Sequence, residues 1–123
     1  IEEIKNVNFI QCNFVEETTK EKILTFFGKK LDLVLSDMAA DTTGNKSLDC
    51  IRTNQLCKDV IEFSTRCLKP NGVLVSKIFM GEDFIQVKDF AKTKFKNVQF
   101  FKPEASRNES KETYIHCATL KTL

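Results

Sequence analysis

Two kinds of hydrophobic pattern alternate along this chain. Short apolar runs, typical of buried strands, are separated by segments whose apolar residues recur at helical spacing. Strands are predicted at residues 7–11, 31–36, 73–79, 98–102 and 113–119. Helices are predicted up to about residue 27 after a cap at Thr18 or Thr19, from about 52 to 68, and from about 83 to 95. Gly28 is placed to end the first helix, and Pro70-Asn71-Gly72 is predicted to form a turn.

The alternation of strands and helices favours an open α/β sheet. The run at 31–36 is apolar nearly throughout, as expected for a parallel strand covered on both faces. The last two predicted strands are separated by about ten residues, too few for a helical crossover, so we expect them to be antiparallel neighbours. The carboxyl ends of the parallel strands and the start of the last strand then meet at one edge of the sheet.

Three charged residues fall at that predicted edge. Asp37 follows the second strand, Lys77 lies late in the third, and Glu112 precedes the last. A lysine within an apolar run is costly unless a carboxylate offsets the burial of its charge. Separately, Asp37 could be a turn or helix cap, Lys77 could reach solvent, and Glu112 could be a surface charge. Their coincidence at one edge instead favours a catalytic group. The lysine of such a group either orients a substrate hydroxyl or accepts its proton, and the sequence leaves both roles open.

Composition narrows the function classes. The 123 residues make one domain at most, and a net charge of +2 does not by itself indicate nucleic-acid binding, although cations concentrate in the last third. The five cysteines have no two-residue spacing, which is typical of reduced thiols rather than a metal or disulfide site. The sequence suggests neither a metal site nor a membrane span. It offers no serine nucleophile paired with histidine, so we expect group transfer to a hydroxyl from a bound donor.

Four ordered motifs resemble the FtsJ/RrmJ-type RNA 2′-O-methyltransferases over about residues 7–119. They are Leu33-Val34-Leu35-Ser36-Asp37-Met38-Ala39; Thr43-Gly44 followed by Asp49 and Arg52; Pro70-Asn71-Gly72 followed by Val75-Ser76-Lys77-Ile78-Phe79 and Gly81; and Lys102-Pro103-Glu104-Ala105-Ser106-Arg107 followed by Ser110, Glu112 and Tyr114. The resemblance implies a Rossmann-like S-adenosylmethionine-dependent methyltransferase sheet with an antiparallel last strand pair. It also implies methyl transfer to a ribose 2′-hydroxyl in large-subunit ribosomal RNA.

The resemblance also implies roles for single residues. Lys77 corresponds to the catalytic lysine, Asp37 to its partner beside the methyl donor, and Glu112 to a third member of the catalytic tetrad. Asn13 and Phe14 lie in the segment that holds the adenine, with Asn13 where the family usually has Asp. From the cations of the last third and their place beside this edge, the predicted RNA-binding residues are Lys102, Ser106, Arg107 and Lys111.

The family's glycine-rich donor loop and first tetrad lysine belong to a region that would precede this sequence. We therefore expect residues 1–123 to be the C-terminal part of a single methyltransferase domain with its N-terminal strands missing, or strands of another chain to fill the gap. The expected partner is ribosomal RNA or the large ribosomal subunit, in the cytoplasm or the mitochondrial matrix. The alternative is a catalytically inactive RNA-binding or ribosome-assembly module. A nicotinamide enzyme is disfavoured because Gly-x-Gly-x-x-Gly is lacking.

Overall fold

Helices and strands alternate through the part of the chain described by a computed structural model, residues 5–81, 83–102 and 112–121. The elements are α1 (Glu17–Phe27), β1 (Leu31–Ser36), α2 (Lys46–Cys67), β2 (Leu68–Phe79), α3 (Phe84–Lys94), β3 (Phe95–Phe101) and β4 (Glu112–Leu120). The sheet order is β1-β2-β4-β3; β1 and β2 are parallel, whereas β4 is antiparallel to both of its neighbours. The predicted α/β sheet with an antiparallel last pair is confirmed.

The core lies on the face of the sheet that packs against α2 and α3. Ile61 from α2 and Val87 from α3 are fully buried with Leu74, Ile78 and Ile115 of the central strands. Burying each aliphatic side chain of this size contributes about 1.5–3 kcal/mol. Because successive strand residues point to opposite faces, the odd-numbered residues of β2 lie on the other side of the sheet. That alternation places Lys77 away from the core.

The prediction of a strand at residues 7–11 is wrong. This segment is irregular, and the side chains of Val7, Phe9 and Ile10 are all exposed. A strand needs a neighbour to pair its backbone N–H and C=O groups. Within residues 5–81, 83–102 and 112–121, β1 pairs with β2 alone, and residues 7–11 pair with no strand.

The expectation that the strand at 31–36 is covered on both faces is also wrong. Val34 packs against the core, but Leu33 is 50% and Leu35 is 70% exposed. The helices α2 and α3 cover a single face of the sheet, and no described element covers the other face at β1. The apolar run therefore predicted the strand correctly but not its surroundings.

Two helices begin earlier than the sequence predicts. α2 begins at Lys46 rather than near residue 52, because the side-chain oxygen of Asn45 accepts the N–H of Leu48 at 3.1 Å and caps the helix. α1 begins at Glu17, so the predicted cap at Thr18 or Thr19 is wrong. Its predicted end is confirmed: Gly28 has φ 62°, the left-handed conformation that glycine adopts at helix ends.

The predicted turn at Pro70-Asn71-Gly72 lies instead within β2. Leu31 pairs with Leu68 and Leu33 pairs with Val73, so β2 has extra residues opposite β1 at this point. The chain accommodates them as an irregularity in the strand rather than as a turn before it. None of the helices in the described ranges is long and apolar enough to cross a lipid bilayer.

Candidate active site

The structure brings together the three charged side chains that the sequence places at one edge. The Nζ atom of Lys77 lies 3.2 Å from Oδ1 of Asp37 and 3.5 Å from Oε2 of Glu112. The side chain of Lys77 is 13% exposed, whereas that of Asp37 is 72% exposed. A nearly buried ammonium is thus held between two carboxylates at a rim that solvent can reach.

Strand register explains this arrangement. Ser36 pairs with Ser76 in the parallel β1–β2 ladder, so the next residues of the two strands are Asp37 and Lys77. On the other side of β2, Lys77 pairs with Tyr114, and Glu112 lies two residues before Tyr114 in β4. Residues two apart share a face of a strand, so Glu112 is a diagonal neighbour of Lys77.

Tyr114 is a further member of this group. Its hydroxyl donates a hydrogen bond to Oδ1 of Asp37 at 2.7 Å, the same oxygen that faces Lys77. Sequence reasoning quoted Tyr114 within a motif but did not assign it to the site. The available signal was its position two residues after Glu112, which places both side chains on one face of the strand.

The hydrogen bond between Tyr114 and Asp37 shifts the pKa values of both groups. A phenol donates to a carboxylate only while it keeps its proton, so this bond raises the pKa of Tyr114 to about 12. The same bond is the main cause that lowers the pKa of Asp37, with Lys77 adding to the effect and partial burial opposing it. Asp37 is therefore held as a carboxylate beside Lys77.

A cleft of about 370 Å³ adjoins Asp37 on the side of β1. Its walls are mainly apolar and include Phe14, Val34 and Met38, with the carboxylate of Asp37 as its charged group. The consecutive residues 33–37 line it, so the cleft runs along the edge of β1 that has no partner strand in the described ranges and ends at Asp37. Apolar walls suit a purine ring, and a carboxylate suits a cationic centre, so these residues fit S-adenosylmethionine.

The predicted cofactor residues do not all line this cleft. Phe14 and Asp37 line it, and the ring of Phe14 packs edge-on against Phe63 with centroids 5.2 Å apart. Asn13 is exposed and is not among the lining residues. Its side-chain oxygen instead accepts the N–H of Val15 at 3.2 Å, a local turn that leads into α1.

Of the predicted RNA-binding residues, Lys102 lies at the same rim. Its Nζ atom donates to the backbone oxygen of Glu112 at 2.9 Å. Ser106, Arg107 and Lys111 lie outside the described residues.

The cysteines and the possible metal ligands add no second site. Burial raises the pKa of Cys57 to about 11 and that of Cys117 to about 12, so both thiols stay protonated. Cys57 and Cys67 pack in α2 as buried apolar groups. In the three ranges that the structure covers, no His, Cys, Asp and Glu side chains are grouped to hold a metal ion.

Replacing Tyr114 by phenylalanine should raise the pKa of Asp37, because the hydrogen bond that stabilises its carboxylate is lost. An NMR titration of the side-chain carboxyl signals measures this as a midpoint at higher pH in Tyr114→Phe. Asp49 is a control within the same spectrum, because the hydroxyl and N–H of Thr43 lower its pKa. Equal Asp37 midpoints in the two proteins would contradict the assigned bond.

Comparison with known proteins identifies the family of this chain. The profile of the family described as FtsJ-like methyltransferase matches residues 1–120. A "Ribosomal RNA large subunit methyltransferase E" of Rickettsia akari (strain Hartford) is 45% identical over 115 residues, which are 94% of this chain and 51% of that protein. The protein of the same name from Pelagibacter ubique (strain HTCC1062) is 43% identical over 121 residues, 98% of this chain and 60% of that protein. The chain thus spans little more than half the length of these curated relatives.

A solved structure from Plasmodium falciparum, described as a ribosomal RNA methyltransferase, has the same architecture. The superposition has a TM-score of 0.81 at 25% sequence identity, and it covers 97% of this chain and 66% of the Plasmodium chain. The fold described above therefore recurs in a protein that is 25% identical over the superposed residues.

Proposed function

We propose that this chain, which belongs to the FtsJ-like methyltransferase family, carries the reacting groups of an S-adenosylmethionine-dependent RNA 2′-O-ribose methyltransferase. The substrate we propose is large-subunit ribosomal RNA, which the names of the bacterial relatives support. The observation that carries the proposal is the position of Asp37, which is shared between the lysine–carboxylate group and the apolar cleft. Acceptor and donor would meet at this residue.

The cleft beside β1 would hold the donor. Phe14, Val34 and Met38 would pack against its adenosine moiety, and the carboxylate of Asp37 would face its positive charge. When bound, S-adenosylmethionine supplies a methyl group on a sulfonium, and the sulfur keeps the electron pair of the broken bond. Because Tyr114 and Lys77 both lower the pKa of Asp37, its negative charge is present throughout the neutral pH range.

Lys77 would act on the ribose hydroxyl. Its Nζ atom lies at the rim beside the cleft, where the free amine, formed by loss of one proton to water, can hold the 2′-hydroxyl and accept its proton as the new oxygen–carbon bond forms. The ammonium produced in that step is stabilised by Asp37 and Glu112, at 3.2 and 3.5 Å. The proton would thus pass to Lys77, the methyl group to the ribose oxygen, and the electron pair of the broken bond would stay on the sulfur.

The RNA backbone would lie along the rim. We assign phosphate contacts to Lys102, Ser106, Arg107 and Lys111, which belong to the cation-rich last third of the chain. Phosphate contacts release counterions, so RNA binding should weaken as salt rises. Since the substrate is ribosomal RNA and the named relatives are bacterial, we assign the protein to the cytoplasm rather than the mitochondrial matrix.

Ribose-methylation mapping in cells with and without the gene tests this function. Deletion should remove one 2′-O-methyl group from large-subunit ribosomal RNA, and the intact gene should restore it. Calorimetry of the full-length protein should show binding of S-adenosylmethionine. An unchanged methylation map together with no donor binding would instead support the non-catalytic RNA-binding or ribosome-assembly module.

A further inference from the structure

An exposed aromatic ring lies next to the catalytic group on the outer side of the sheet. Phe101, the last residue of β3, is 46% exposed. It pairs with Tyr114 across the β3–β4 ladder, and the two rings are stacked with centroids 5.8 Å apart and planes inclined by 23°. Phe101 is therefore on the same face of the sheet as Lys77 and Glu112.

This ring is held in place from several sides. The hydroxyl of Tyr114 donates a hydrogen bond to Asp37 at 2.7 Å, and this bond holds the tyrosine ring on which Phe101 stacks. The backbone oxygen of Phe101 accepts a hydrogen bond from the hydroxyl of Thr113 at 2.6 Å. The next residue, Lys102, bonds the backbone of Glu112 at 2.9 Å. A single half-exposed phenylalanine is common on protein surfaces and does not by itself indicate a binding site. Here, however, the flat ring of Phe101 is held in place beside the catalytic group.

The spacing of the strands gives the distance from this surface to the reacting ribose. β4 lies between β3 and β2, so Phe101 is two strand spacings, about 10 Å, from Lys77. A ribose bound at Lys77 and the base of the same or the adjoining nucleotide can span that distance. Unstacked RNA bases bind to proteins by stacking on aromatic side chains, and this contact tolerates any base.

We propose that Phe101 is a stacking platform for an unpaired base of the RNA, next to the ribose held by Lys77. The inference rests on the proposed function and adds to it that the target nucleotide lies in a single-stranded or splayed segment. Lys102 supplies a cation beside the platform, as expected where a phosphate follows a stacked base. Phe101 is thus a binding residue that neither the sequence motifs nor the charge pattern indicates.

Fluorescence anisotropy with a labelled, mixed-sequence single-stranded RNA of about ten nucleotides tests the platform in the full-length protein. A stacked base contributes enough affinity that Phe101→Ala should weaken binding by roughly 5- to 150-fold. Phe101→Tyr keeps a flat ring and should bind within about twofold of wild type. The matched control is Phe26→Ala, since Phe26 is 49% exposed and packs on the ring of Phe27 in α1.

A second measurement reports the contact directly. These 123 residues include no tryptophan, and in the full-length protein the difference in emission between Phe101→Trp and wild type isolates the one added indole. Adding the RNA should quench that emission, whereas the indole of Phe26→Trp should be unaffected. Equal RNA affinity of Phe101→Ala and wild type, or no quenching at position 101, overturns the platform.

The outcomes separate the platform from the proposed function. If wild type methylates ribosomal RNA and Phe101→Ala does so with the same KM, the platform is wrong and the function stands. If wild type binds neither the single-stranded RNA nor S-adenosylmethionine, both are wrong. Thermal unfolding followed by circular dichroism identifies any loss of binding that comes from misfolding.

Discussion

Lys77→Ala is expected to lower kcat for RNA methylation by at least about 100-fold, the range that removal of a positioned proton acceptor produces. Binding of RNA should change little, because Lys77 lies at the reacting end of the site and its side chain is only 13% exposed. Transfer of a radiolabelled methyl group from S-adenosylmethionine to undermethylated large subunits measures the first quantity. Anisotropy with labelled RNA measures the second.

Lys77→Arg distinguishes the two roles of the lysine. A guanidinium keeps the positive charge and can still pair with Asp37 and Glu112, but it does not lose a proton at neutral pH. If Lys77 accepts the hydroxyl proton, Lys77→Arg should be as inactive as Lys77→Ala. Full activity in Lys77→Arg would contradict proton acceptance and assign the residue to electrostatic positioning alone.

The matched control is another lysine of the same strand. Lys69 also lies in β2 and pairs with a carboxylate, Asp32, at 2.8 Å, but that pair is exposed and lies at the start of β1, the end opposite Asp37. Lys69→Ala should retain wild-type kcat. Activity within threefold of wild type in Lys77→Ala, or an equal loss in Lys69→Ala, would remove the proposed role of Lys77.

The meeting of Lys77, Asp37 and Glu112 was predictable from the sequence because it follows from topology. Parallel strands end at one edge, and a final antiparallel strand begins there. The topology therefore brings the charged residues at these three strand ends close together. The short connection before β4 was the decisive signal, because its length excludes a helical crossover and so predicts an antiparallel last strand.

The bond between Tyr114 and Asp37 was not predictable in the same way. It depends on the register that pairs Lys77 with Tyr114, and a shift of one residue would turn Tyr114 to the other face. The apolar pattern at residues 7–11 failed for a related reason. A strand forms only beside a partner, and an apolar run carries no information about whether that partner is present.

Asn54 was also missed, because a polar residue in a helix is usually on its solvated face. Here its side chain is fully buried and forms three hydrogen bonds. Its Oδ1 accepts the N–H of Phe79 at 2.8 Å, and its Nδ2 donates to the backbone oxygen of Phe79 at 2.9 Å and to Oδ1 of Asp83 at 2.8 Å. One amide thus fastens α2 to the end of β2, two residues beyond Lys77, and to the start of α3.

Asn54→Leu should therefore lower the free energy of unfolding by about 2–6 kcal/mol, because two polar groups lose their partner and each such group costs about 1–3 kcal/mol. The leucine fills a similar volume, but it leaves the N–H of Phe79 and Oδ1 of Asp83 without these bonds. The backbone oxygen of Phe79 keeps a hydrogen bond from the N–H of Gly81 at 2.8 Å. Asp83 is the most affected, because its other oxygen, Oδ2, already has no hydrogen-bond partner among the residues that the structure describes. Urea unfolding followed by circular dichroism measures the change as a lower midpoint at constant slope.

Gln55 provides the control for Asn54, since it carries the next amide on the same helix and is exposed. Gln55→Leu should change the free energy of unfolding by no more than about 0.5 kcal/mol.

Asn54→Asp separates hydrogen bonding from packing, because it keeps the shape of asparagine but loses both donors and places a second carboxylate beside Asp83. If packing were the cause, Asn54→Asp would be as stable as wild type; if the hydrogen bonds are the cause, it should lose at least as much stability as Asn54→Leu. The fraction of Asn54→Leu or Asn54→Asp molecules that remains folded should also methylate RNA more slowly, because the end of β2 that positions Lys77 is no longer fixed to α2.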